Sequence, residues 1–124
     1  MGTKESNVIK VYQYDKCGTC QKAFRFLDRH KVAYQKVAIR DNPPTAEELK
    51  KMLEDVGGNI RRLFNTSGQD YRSLKIGERL DSMPNEEAIA LLASHGNLVK
   101  RPFVVTGKRG LVGFNEEEWK KYFG

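Results

Sequence analysis

Two cysteines three positions apart, Cys17 and Cys20, are the residues of this chain best suited to chemistry. They lie in Cys17-Gly18-Thr19-Cys20, after an extended apolar stretch and at the opening of a helical pattern. Unpaired backbone N–H groups and the helix dipole stabilise negative charge at a helix start. Lys16 and Lys22 add positive potential there, and Asp15 opposes it. A cysteine in such surroundings can have its pKa brought from ~8.5 down to about 3.5–7.5, which makes a thiolate available at neutral pH. The two sulfurs are not equivalent. Cys17 precedes the first full turn and can face solvent, whereas Cys20 shares the apolar stripe of Ala23, Phe24 and Leu27. The spacing therefore predicts that Cys17 attacks and Cys20 resolves, with no metal required.

Blander readings compete with this one. A C-x-x-C pair is also half of a four-ligand zinc site, but the other soft ligands, His30 and His95, lie far apart with no second cysteine near either. Free cysteines also pack as small inert hydrophobes. A phosphatase-type loop, with arginine six positions after the cysteine, is excluded because Ala23 stands there.

The elements that must position the pair follow from periodicity. Val8 to Tyr14 reads as a strand, with Ile9 and Val11 on one face and Tyr12 and Tyr14 on the other. A helix follows to about His30, since Cys20, Ala23, Phe24 and Leu27 recur at helical spacing. Tyr34 to Ile39 is a second strand, which closes a right-handed βαβ unit with parallel strands. After Asn42-Pro43-Pro44, Thr45 to Glu48 is a capping box for a helix carrying Leu49, Met52, Leu53 and Val56, ended by Gly57-Gly58. Ile60 to Ile76 carries short helical pieces, with Thr66 and Ser67 read as caps for one of them. Pro84 opens another helix, which Gly96 stops at its C′ position. Phe103–Val105 and Leu111–Phe114 flank Gly107-Lys108-Arg109-Gly110 as a β-hairpin, and Asn115 caps a last helix that buries Trp119, Tyr122 and Phe123. The order predicts an α/β fold: a thioredoxin-like four-stranded mixed sheet, βαβ…ββα, with a helical insertion at about 43–99 between the second and third strands. Residues 1–7 are expected to be a loose polar tail before a single domain over 8–124.

Composition bounds the partners. The 124 residues suit one domain. Hydrophobic residues make up 39% and charged residues 31%, a soluble globular balance. No apolar run approaches the ~20 residues that span a bilayer, and no signal peptide is legible, so a cytoplasmic, monomeric protein away from membranes is expected. The net charge of +6 suits anionic partners. Its basic residues are scattered and not interleaved with aromatics, so direct nucleic-acid binding is not expected. Met1-Gly2-Thr3-Lys4-Glu5-Ser6 fits a myristoylation pattern without a second anchor, and the sequon Asn65-Thr66-Ser67 has no meaning in a chain that is not secreted. Pro102, following Arg101 just before the third strand, is open to two readings: a cis-proline facing the active cysteine, or an ordinary trans proline starting an edge strand.

Several segments, in order, resemble the arsenate reductase/Spx family of thioredoxin-like proteins. They are Tyr12 to Cys20, Asn42-Pro43-Pro44-Thr45, Leu63 to Gly68, Leu91 to Ser94, Lys100-Arg101-Pro102 and Val112-Gly113-Phe114. The resemblance implies that Cys17 is the catalytic cysteine and that Arg101 is the oxyanion-binding arginine before a cis Pro102. It implies that Arg61, or its neighbour Arg62, is a second active-site arginine; the bland reading of both is a solvated helix face. Gly18 and Thr19 form the turn between the cysteines. Two departures weaken a purely arsenate-reducing assignment: Gly113 stands where a third arginine is expected, and Cys20 is a second cysteine that such reductases commonly lack. Both features are shared with the Spx branch, whose members bind RNA polymerase and sense oxidants. The Asn65 to Gly68 turn and the Arg61 region look more like a reductase-like branch. The implied activity is thiol–disulfide oxidoreduction of the arsenate reductase-like type. It needs no bound cofactor and uses thioredoxin, or glutathione with glutaredoxin, as reductant. The alternative is a redox-switched regulator that binds RNA polymerase or another protein.

Overall fold

The computed structural model describes residues 8–123, so the expected tail over 1–7, with its myristoylation pattern, lies outside the described residues. Four strands form one mixed sheet: β1 (Ile9–Gln13), β2 (Tyr34–Ala38), β3 (Phe103–Val105) and β4 (Leu111–Val112), in the order β2-β1-β3-β4. β1 runs parallel to β2, with Ile9 opposite Tyr34, and antiparallel to β3, with Val11 opposite Val104. β3 and β4 are the predicted hairpin, pairing Phe103 with Val112. The thioredoxin-like α/β architecture is therefore as expected. The strand alternation also divides the core as anticipated. Ile9, Val11 and Val104 face one cluster, and Tyr12, Phe103 and Val112 face the other.

Helix α1 (Gly18–Arg29) and the last helix, α6 (Glu116–Phe123), cover the first face. Fully buried Phe26 and Trp119 meet there edge-on, with ring centroids 5.8 Å apart. Burying aromatic surface of this size dominates the energetics of a small core. Asn115 caps α6, its Oδ1 accepting the Glu118 N–H at 3.0 Å. The insertion covers the second face through α2 (Ala46–Asp55), α3 (Gln69–Ser73), α4 (Ile76–Arg79), α5 (Asn85–Ser94) and three short 3₁₀ turns. The predicted capping box is complete: the Glu48 N–H donates to Thr45 Oγ1 at 3.1 Å, and the Thr45 N–H donates to Glu48 Oε1 at 3.0 Å.

Three local expectations need correction. Thr66 and Ser67 cap nothing: Gly68 stands at the N-cap of α3, without a side-chain cap. The turn is instead closed by the backbone, Gly68 N–H to Asn65 C=O at 2.9 Å. Pro84 is the N-cap of α5 rather than its first helical residue. Gly96 does follow that helix, but it does not adopt the left-handed conformation of a C′ glycine. Its small size is needed for another reason: a Cβ there would sit 1.9 Å from the Ile39 carbonyl oxygen. The turn after α5 is pressed against the backbone that leaves β2.

Candidate active site

Cys17 is the N-cap of α1, with extended backbone angles (φ −89°, ψ 113°). Its N–H donates to the Tyr14 carbonyl at 3.0 Å, closing the turn after β1. Its Sγ accepts the Cys20 N–H at 3.3 Å. The sulfur thus occupies the capping position where an orphan backbone donor would otherwise go unpaired. Cys17 is half-buried, and Cys20 is completely buried among Ala23, Phe24 and Leu27. Both thiols are free. Gly18 opens α1 with no atom near where its Cβ would project, and Thr19 is exposed.

Their acidities separate. Burial pushes the Cys17 thiol up, but the Cys20 thiol and N–H and the Arg101 guanidinium outweigh it, and the pKa is lowered. Burial pushes Cys20 up to about 12, helped by Cys17 and opposed by the Tyr14 backbone and Arg101. A positive charge that acts on Cys17 is that of Arg101. The Asp15 carboxylate, expected to oppose the thiolate, is engaged by the Gln13 amide at 3.2 Å.

The Arg101–Pro102 peptide is cis, and Pro102 is buried at the start of β3. Arg101 reaches the cysteines because the insertion clamps the segment before it. Asn65 N–H donates to Leu98 C=O at 2.7 Å, and Lys100 N–H donates to Leu63 C=O at 2.8 Å, around a Phe64–Val99 bridge. Arg61 goes elsewhere. Its guanidinium donates to the Tyr71 hydroxyl at 3.1 Å and to Asp81 at 3.2 Å, and with Arg62 and Lys100 it lines a separate hollow. The structure brings Cys17, Cys20 and Arg101 together, with Pro102 next to Arg101 in the chain, and puts Arg61 and Arg62 in the lining of a different hollow. Two residues not singled out from sequence also enter the site: Tyr14, half-buried at the end of β1, and Arg40, whose guanidinium lies 4.7 Å from the Tyr14 ring centroid.

A model of the ArsC family matches residues 12–122, nearly the whole described chain. The chain belongs to the ArsC family. An ArsC family related protein from Bacteroides fragilis superimposes with a TM-score of 0.86 at 47% identity, covering 91% of this chain and 95% of that one. A possible arsenate reductase from Streptococcus mutans UA159 gives 0.82 at 36% identity, over 90% and 97%. The uncharacterized protein YusI of Bacillus subtilis is 42% identical over 91% of this chain and 96% of its own. The global transcriptional regulator Spx of Listeria monocytogenes is 26% identical over 93% of this chain and 86% of its own. Within this ArsC-family chain, position 113 cannot readily take the third arginine. Gly113 has φ +71°, and its Cβ would stand 3.0 Å from Lys100 Cε.

Proposed function

We propose that this ArsC-family protein is a thiol–disulfide oxidoreductase in which Cys17 is the nucleophile and Cys20 the resolving cysteine. The observation that carries the proposal is the placement of two neighbouring thiols: Cys17, half-buried at a helix N-cap with its Sγ accepting the Cys20 N–H at 3.3 Å, and Cys20, completely buried, an arrangement that lowers the first pKa and pushes the second up to about 12. The Cys17 thiolate attacks one sulfur of an oxidised substrate, and the other sulfur leaves as a thiolate. The mixed disulfide consumes the Cys17 charge, which removes one of the causes that hold Cys20 protonated. Cys20 then attacks the Cys17 sulfur, its proton passes to the departing thiolate, and a Cys17–Cys20 disulfide forms. The substrate disulfide has gained two electrons and the cysteine pair has lost two. An external dithiol such as thioredoxin, or two equivalents of glutathione with glutaredoxin, returns them. Arsenate is a less favoured substrate, because glycine stands at position 113, where the resemblance to arsenate reductases implies a third arginine.

The test is turnover of a small disulfide with thioredoxin or glutathione supplied, run beside arsenate. Disulfide reduction lost in Cys17→Ser supports the proposal; no turnover of either substrate contradicts it. A second reading, a redox-switched regulator that binds RNA polymerase or another protein, is supported by the Spx relatives' similarity across 93% of the chain. A stoichiometric polymerase complex that depends on the cysteine oxidation state, without turnover, favours it.

A further inference from the structure

Basic side chains occur along the whole chain, but they outnumber acidic ones in one part of it only. Residues 8–40 carry eight basic and two acidic side chains, and residues 41–124 carry thirteen of each. The net charge of +6 therefore sits on the unit formed by β1, α1 and β2. Lys22, Arg25 and Arg29 are exposed on α1, Lys31 on the turn after it and Lys36 on β2. Among the described residues none of these five has a carboxylate within ion-pair distance. The two acids of the unit are engaged by neutral donors instead, Asp28 by the Tyr34 hydroxyl at 2.8 Å and Asp15 by the Gln13 amide at 3.2 Å. A surface of unpaired like charges favours an anionic partner.

The same unit carries an open backbone edge. β2 ends the sheet, and among the described residues no strand pairs with its outer side. The Ile9 N–H donates to Ala33 C=O at 3.3 Å, and the Ile39 N–H donates to Gln13 C=O at 2.9 Å. Backbone groups alternate in a parallel ladder, so Ala33, Gln35, Val37 and Ile39 turn theirs toward β1, and Tyr34 and Lys36 turn theirs outward. Such an edge is a template for another strand. The cations stand beside it: the Lys36 ammonium lies 4.5 Å from the ring centroid of Phe24 on α1, and Arg25 is the next residue of that helix. A second copy of this chain fits badly there, because pairing β2 with β2 brings two sets of these cations together. An acidic strand meets them as counter-charges.

We infer that the open edge of β2 binds an extended acidic segment of a partner protein, which joins the sheet as a fifth strand. Main-chain hydrogen bonds to Tyr34 and Lys36 supply affinity, and the cations of α1 and β2 select an acidic sequence. Such a surface serves an oxidoreductase and a redox-switched regulator alike.

The test titrates the full chain with a capped heptapeptide of alternating glutamate and valine and follows the backbone amides by NMR. The glutamate peptide should shift the amides over 34–38, and added salt should weaken it, since exposed charges are screened. Its fully N-methylated analogue keeps the carboxylates and loses every backbone donor, and should bind at least about tenfold more weakly. A lysine-for-glutamate peptide should bind more weakly by a similar factor. Lys36→Pro removes an outward N–H and leaves the ladder to β1 intact, so it should weaken the glutamate peptide further than Lys36→Gln does. Arg25→Glu, which does not alter the strand, should weaken the glutamate peptide and strengthen the lysine peptide. Binding that survives N-methylation, or shifts centred on Arg61, Arg62 and Lys100, would overturn strand addition at β2. So would no binding of the glutamate peptide, or self-association of the wild type that Lys36→Pro abolishes. Tighter binding of an oligo-dT strand on the same residues would assign the charge to nucleic acid and overturn it as well.

Discussion

At Cys17 two influences oppose each other: burial disfavours the thiolate, while the Cys20 thiol and N–H and the Arg101 charge favour it, and the second group wins. Alkylation by iodoacetamide should therefore modify Cys17 before Cys20 at pH 7, with a rate that falls as pH drops through a midpoint below that of an ordinary thiol. Peptide mass spectrometry of partly alkylated protein checks the order; prior modification of Cys20 would reverse the roles. Replacing Arg101 tests the source of the field. Arg101→Gln should move the Cys17 midpoint upward, because it removes a cation that stabilises the thiolate. Arg101→Lys should keep most of the midpoint shift while losing planar recognition of an anion. On that account kcat/KM with a disulfide falls about tenfold in Arg101→Lys, the size of one charged hydrogen bond. A large fall in melting temperature with an unmoved midpoint would instead mark Arg101 as a packing residue.

Among the elements, glycines give predictions of opposite sign. Gly96→Ala drives a Cβ to within 1.9 Å of the Ile39 carbonyl, so backbone must move. Overpacking of this kind costs about 1–3 kcal/mol, readable as a lower urea midpoint. Gly18→Ala meets open space in the first turn of α1 and should stabilise by about 0.5 kcal/mol, since Gly carries extra backbone entropy in the unfolded chain. The same contrast shows what sequence can and cannot tell. The βαβ unit, the capping box at Thr45, the hairpin and the Asn115 cap were legible because each is written in local period or local chemistry. Cys17, Cys20 and their unequal burial were legible for the same reason, being one helix start and its buried stripe. The role of Gly96 was not, because it depends on a carbonyl that only the folded chain brings near. Nor was the Arg40–Tyr14–Arg101 cluster, whose members come from three separate segments. The short helical pieces over 60–76 were expected, but their bounds and α4 beyond them were not legible: Leu63, Phe64, Tyr71, Ile76, Leu80 and Met83 are buried at irregular spacing, which no single period reports.

For the whole molecule, the pair ties redox chemistry to stability through pH. The folded pKa of Cys20, about 12, lies above its unfolded value near 8.5, so the folded state keeps a proton that the unfolded chain releases. That contribution is full below the unfolded pKa and is lost as pH rises toward 12. Reduced wild-type protein should therefore lose more stability between pH 7.5 and pH 10 than Cys20→Ala, whatever their difference at neutral pH. Urea midpoints at the two pH values give the comparison, and equal losses would show that Cys20 titrates alike in both states. The helix face that buries Cys20 also holds it beside Cys17, so oxidation should close the pair within one chain. The most direct test is to treat the reduced protein with glutathione disulfide, quench it in acid, and map the cysteines by mass spectrometry. The account predicts a Cys17–Cys20 disulfide in the wild type, reducible by thioredoxin, and a Cys17–glutathione adduct that accumulates in Cys20→Ser. A stable adduct on Cys20, or one that persists on Cys17 in the wild type with no internal disulfide, would contradict it.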